Sequence, residues 1–272
     1  MTFVVRFVIG TAVLVVASCA SDEGYRPPRM AEDCSRGLAL EIYETADTVE
    51  GFAWNRFGDQ GCTPCAELIV SGYRFFEARL SERFWKPGLI VLEPKPGLYR
   101  YERVRRTEVD AETCERFDQV IAELRHLVPS HIAHFAGLSR DTVSRGSYNK
   151  EAVSALFDEY AEKFCVRAVL IAEVAADYEV SEELKSLGNF PSNGRDGLYS
   201  LRATYVRNKA SGELLARGVD RYAYLNPGYW GPGSGNSASC WSARTVPIMD
   251  VLEPVDSGVS TRLQSTLSDV RN

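Results

Sequence analysis

The chain has 272 residues, enough for one large domain or two small ones. Its formal net charge is −6 and no run of Lys and Arg dominates any segment, which excludes nucleic acid as a natural partner because phosphate binding needs a basic surface. Neither a Gly-Lys-Ser/Thr phosphate loop nor a Gly-x-Ser-x-Gly nucleophile turn is present.

The first element is a leader. Arg6 is its basic residue, a mostly apolar run fills residues 7–17, and small residues follow. That is the build of a secretory signal. The run is too short to span a membrane comfortably, which takes about 20 apolar residues. It ends in Val16-Ala17-Ser18-Cys19. These four residues resemble the lipobox of bacterial lipoproteins, with Val where Leu is commoner. The resemblance implies that residues 1–18 are removed and that the Cys19 thiol carries a diacylglycerol, with palmitate-type chains. Two acyl chains on one residue suffice for stable anchoring. Ala20, where Asp would signal inner-membrane retention in enterobacteria, implies an outer-membrane protein facing the periplasm.

Residues 19–33 read as the lipidated cysteine and a polar linker around Pro27 and Pro28. Six further cysteines remain: Cys34, Cys62, Cys65, Cys114, Cys165 and Cys240. An even set in an exported chain indicates disulfides, and all six are disulfide candidates. The expected pairing joins Cys62 locally or to Cys34, and Cys165 to Cys240.

Residues 34–109 form a cysteine-containing α+β region. Residues 38–43 are a short strand or helical turn, and residues 52–57 are too mixed to assign. Leu68, Phe75, Phe76, Ala78 and Leu80 recur at roughly helical spacing, which predicts a helix over residues 66–84, stopped by Pro87 and Gly88. Residues 89–92 and 98–104 are predicted strands, paired as a hairpin across the Pro96-Gly97 turn.

Residues 110–272 form an α/β module. Asp110 is a helix N-cap ahead of Phe117, Val120, Ile121, Leu124 and Leu127, and Pro129 ends that helix. Residues 131–135 are a candidate strand. Ser147 is expected to cap a helix over residues 150–164, and residues 165–174 are a buried strand. Residues 179–197 read as a polar loop. Residues 198–207 and 213–224 are rich in β-formers and turn on Asn208 to Gly212, which predicts a long antiparallel hairpin. Residues 226–239 are a Gly/Pro-rich loop, residues 246–252 a last strand, and residues 257–270 a closing helix. The strand around Phe164-Cys165-Val166, followed by the Ser211-Gly212-Glu213 turn, is similar to envelope lipoproteins with an α/β domain related to the TolB N-terminal domain. That resemblance implies the same kind of domain over residues 110–272.

Three constellations are candidates for chemistry. Cys62-Thr63-Pro64-Cys65 opens a helix, where the dipole and free N–H groups stabilise a thiolate. A redox CxxC also needs a buried strand before it and a cis-proline loop beside it. Residues 56–61 are no buried strand, and Val246-Pro247 lies far outside the usual spacing. His126, His131 and His134 fall in one segment, but Pro129 interrupts it, so no metal site is assigned. Tyr229 and Trp230 sit on the glycine-rich loop as a candidate partner-binding pair. No site combines nucleophile, base and oxyanion donor.

The expected protein is thus α+β: a cysteine-stapled N-terminal region, then an α/β module with a long antiparallel hairpin. Its expected role is binding or assembly with an envelope protein or cell-wall partner, with no cofactor. Thiol–disulfide exchange at Cys62 and Cys65, or metal binding, are the alternatives.

Overall fold

The computed structural model describes residues 40–55, 65–85, 92–138, 142–143, 146–192, 195–225, 237–239 and 246–268, and of residues 187–192, 195–200, 220–225 and 237–239 the backbone alone. The fold is α+β. In chain order the elements are β1 (Leu40–Ile42), β2 (Ala46–Val49), β3 (Gly51–Asn55), α1 (Cys65–Ser71), β4 (Phe75–Leu80), β5 (Gly97–Arg105), α2 (Ala111–Leu124), α3 (Val128–Phe135), α4 (Lys150–Ala161), β6 (Phe164–Leu170), β7 (Tyr178–Ser192), β8 (Arg195–Asn208), β9 (Leu214–Leu225), β10 (Ser237–Ser239), α5 (Ile248–Val251), β11 (Leu252–Pro254) and α6 (Ser257–Ser268).

Among the described residues, nine strands form one mixed sheet in the order β1-β9-β8-β7-β3-β4-β5-β6, with β10 also on β9. The middle strand β3 runs parallel to both its neighbours, β4 and β7. The other pairings in this sheet are antiparallel. Strands from before and after residue 110 therefore share one sheet. β2 and β11 form a second, two-stranded parallel sheet.

One face of the main sheet carries Phe52, Trp54, Phe76, Tyr99 and Tyr101, all buried. Opposed residues in neighbouring strands share a face, so the pairs Phe52↔Phe76 and Phe76↔Tyr101 fix this set. Helices α1, α3, α4 and α6 pack on one another over it. Phe135 of α3 stacks on Trp54 with ring centroids 5.6 Å apart. Tyr73, fully buried, donates its hydroxyl to the Leu252 carbonyl and ties the first half of the chain to β11. Burial pushes that phenol well above its ordinary pKa, so it stays a donor.

Asp110 caps α2, accepting from the Thr113 N–H at 2.8 Å. That bond holds its carboxyl below the ordinary aspartate value, so the cap persists at neutral pH and is lost only as pH falls through the lowered value. Phe117, Val120 and Ile121 face inward as the periodicity predicts. The β8–β9 hairpin and the closing helix α6 also occupy their expected places.

Several elements differ from expectation. Residues 66–84 are not one helix: α1 ends at Ser71, Gly72 turns the chain at φ +87°, and β4 follows. A Cβ on Gly72 would sit 2.3 Å from the Asp256 carbonyl oxygen, so the close approach of the two segments requires glycine. β5 pairs with β4 and β6, and residues 89–91 of the expected hairpin lie outside the described residues. Residues 131–135 belong to α3, because Pro129 sits in the first turn, where its missing N–H is no loss. Asn149, not Ser147, caps α4, accepting from the Ala152 N–H at 2.9 Å. The expected polar loop over residues 179–197 is mostly β7 and the start of β8. Ser237–Ser239, expected in a loop, is β10. The last expected strand is split into α5 and β11. Among the described residues no helix is long and apolar enough to cross a membrane.

Candidate functional site

The cysteines are placed first by the chain. Cys114 of α2 and Cys165 at the start of β6 are bonded to one another, Cα atoms 5.4 Å apart. Cys165 is therefore not paired with Cys240, as expected from sequence; β6 lies against α2, and that proximity selects Cys114. This staple lies beyond residue 110 rather than in the N-terminal region. Cys65 is also disulfide-bonded, and with Cys114 and Cys165 spoken for, its partner lies outside the described residues. Cys34, Cys62 and Cys240 lie outside the described residues, as do Cys19, Tyr229 and Trp230.

The surroundings of Cys65 were not visible in the sequence. β3 is a buried strand, and β3, α1 and β4 form a parallel βαβ unit with Cys65 opening the helix. The short mixed string Gly51 to Asn55 hid that strand. No cis peptide bond occurs among the described residues, so Pro247 supplies no cis-proline loop; it is the N-cap residue of α5.

His131 and His134 share one face of α3, three residues apart. The Nδ1 of His134 is 3.3 Å from the Leu138 carbonyl. His126 lies in the turn between α2 and α3. No group of three or more His, Cys, Asp or Glu among the described residues is placed to hold a metal ion.

Two acids sit where sequence reasoning did not look. Glu77 of β4 is 1% exposed. Its Oε1 accepts from Arg100 Nε at 2.9 Å and Nη2 at 2.5 Å. Its Oε2 accepts from the backbone N–H groups of Ala175 and Ala176, each at 2.9 Å. One carboxylate thereby fastens the crossover between β6 and β7 onto the sheet face opposite the helices. Glu93, also buried, accepts from the Tyr101 hydroxyl. Burial, and then the Glu93 charge, push that phenol far above its ordinary pKa. An acid inside an apolar run, Phe75-Phe76-Glu77-Ala78, was the available signal for the first.

A hollow of about 660 Å³ opens where β4 begins and β5 ends, beside Phe164 and Asp256. Four arginines line it, each paired with an acid. Arg74 meets Glu50, Arg100 meets Glu77, and Arg105 meets Glu108 at 3.9 Å. Arg103, only 7% exposed, donates from Nη2 to Asp256 at 3.2 Å and lies over the Phe164 ring, 5.0 Å from its centroid. Burial pulls the Arg103 pKa down, with Asp256 opposing it. Guanidinium forks suit oxyanions, but here each arginine already faces one carboxylate, of Glu50, Glu77, Asp256 or Glu108. Comparison with family models, with curated proteins and with solved structures returned no match.

Proposed function

We propose that this chain is a lipid-anchored protein of the bacterial cell envelope, attached through Cys19 to the outer membrane and facing the periplasm, with a binding or assembly role toward an envelope protein or the cell wall. The leader over residues 7–17 and the lipobox-like Val16-Ala17-Ser18-Cys19 support the anchor. The observation that carries the compartment is oxidised cysteine: the Cys114–Cys165 bond and the bonded Cys65 belong in an oxidising space. The long β7–β8–β9 arm supports the assembly role.

Metabolic labelling with tritiated palmitate tests the anchor. The full chain expressed in a bacterium should fractionate with membranes and take up label. Cys19→Ala should lose the label and accumulate as uncut precursor. A wild-type chain that is cleaved and exported without label removes the proposal.

One observation favours a second reading, thiol–disulfide exchange. Cys65, 2% exposed and disulfide-bonded, opens α1 in a βαβ unit whose first strand, β3, is buried, one of the two features a redox CxxC requires; the cis-proline loop is absent among the described residues. Under that reading Cys65→Ala leaves Cys62 to form trapped mixed disulfides with other envelope proteins. Their absence from a non-reducing gel of whole cells would end it.

A further inference from the structure

The hollow beside β4 and β5 holds one ion pair unlike the others. Arg74–Glu50 and Arg105–Glu108 are exposed at both ends, and Glu77 grips Arg100 through two nitrogens. Arg103 is only 7% exposed, yet its Nη2 meets Asp256 through a single bond of 3.2 Å. That is long for opposite charges, which usually close to roughly 2.7–2.9 Å. Its Nη1 is enclosed and donates to nothing among the described residues. A buried guanidinium nitrogen without an acceptor is costly, and nearly all buried polar groups find one. The guanidinium lies over the Phe164 ring, which holds its plane. Asp256, by contrast, is 46% exposed and free to turn outward.

We propose that the hollow binds a small zwitterion, a free amino acid or a short peptide, inserted between Arg103 and Asp256. The ligand carboxylate takes both terminal nitrogens of Arg103 as a bidentate fork, which gives Nη1 its acceptor. Asp256, released by that exchange, accepts from the ligand ammonium. One loose pair becomes two. The lining carries four arginines and four acids, so a ligand with one charge of each sign leaves its balance unchanged. A phosphate would instead add negative charge beside Glu50, Glu102, Glu108 and Asp256. The volume of about 660 Å³ falls within the roughly 300–1,000 Å³ of small-molecule sites. Phe75, Val104 and Phe164 supply apolar lining for a ligand side chain.

This inference stands apart from the anchor at Cys19 and from the choice of envelope partner. Equilibrium dialysis of the full chain in non-ionic detergent, against radiolabelled leucine and leucyl-leucine, tests it. The two probes distinguish a free amino acid from a peptide, and one of them should bind with a Kd of about 1 mM or below. The N-acetylated form of the better binder lacks the ammonium, and its C-terminal amide lacks the carboxylate. Each should bind about tenfold more weakly. D256N keeps the side chain's shape and removes its charge. It should weaken the zwitterion about tenfold yet tighten the N-acetylated form, whose carboxylate no longer competes with Asp256 for Arg103. R103K keeps the charge but not the fork, and should abolish binding of both. Circular dichroism will check that each variant is folded. No binding of either zwitterion, an N-acetylated form as tight as its parent, or D256N moving the two ligands in the same direction would each overturn the inference.

Discussion

Glu77→Ala is expected to cost the fold about 3–5 kcal/mol, the usual penalty for removing one partner of a buried pair. The carboxylate is wholly enclosed and accepts four hydrogen bonds, two from Arg100 and one each from Ala175 and Ala176. Without it a guanidinium, itself 28% exposed, and two backbone donors lose their acceptor together. Glu77→Gln keeps the shape but sets an NH2 group against N–H donors, and should cost roughly 2 kcal/mol. Urea unfolding followed by circular dichroism measures both. A loss below about 1 kcal/mol for the alanine variant would mean that water replaces the carboxylate, and that the β6–β7 crossover does not depend on it.

Removing the Cys114–Cys165 bond should lower stability by about 4 kcal/mol, the chain-entropy value for a closed loop of this length. The sequence separation is 51, and the bond joins α2 to β6, which among the described residues has a single strand neighbour, β5. Both cysteines are buried, so Cys114→Ala with Cys165→Ala avoids setting hydroxyls into the core. Comparing that variant with the intact protein in urea measures the effect. An unchanged midpoint would show that packing of Phe117, Val120 and Ile121 alone holds α2 in place.

What could be read from the sequence follows from how local each signal is. α2 was legible because Asp110 and a 3.6-residue period sit together, and the β8–β9 hairpin because Asn208 to Gly212 marks its turn. β7 was hidden: Glu182, Glu183, Lys185, Gly188 and Pro191 suit a loop, and the strand exists because β8 supplies partners along its whole length. The residue 66–84 stretch misled because Phe75 and Phe76 fit a helical count as well as a strand. The close approach of Asp256 to Gly72, nearly two hundred residues apart in sequence, decides between them. Glu77 and the pairing of Cys114 with Cys165 are likewise long-range facts, made by crossovers that no window of sequence contains.

The sheet order also sets a timetable for folding. β1 waits for β9, with Leu40 opposite Gly218, and β2 waits for β11, with Ala46 opposite Leu252. β3 gains its second neighbour only when β7 exists. A chain emerging from the ribosome cannot close its sheet until nearly its last residues are made, since non-local pairings form late and slowly. If the chain is exported as proposed, that delay keeps the polypeptide open for threading through a translocation pore, with the sheet closing on the far side.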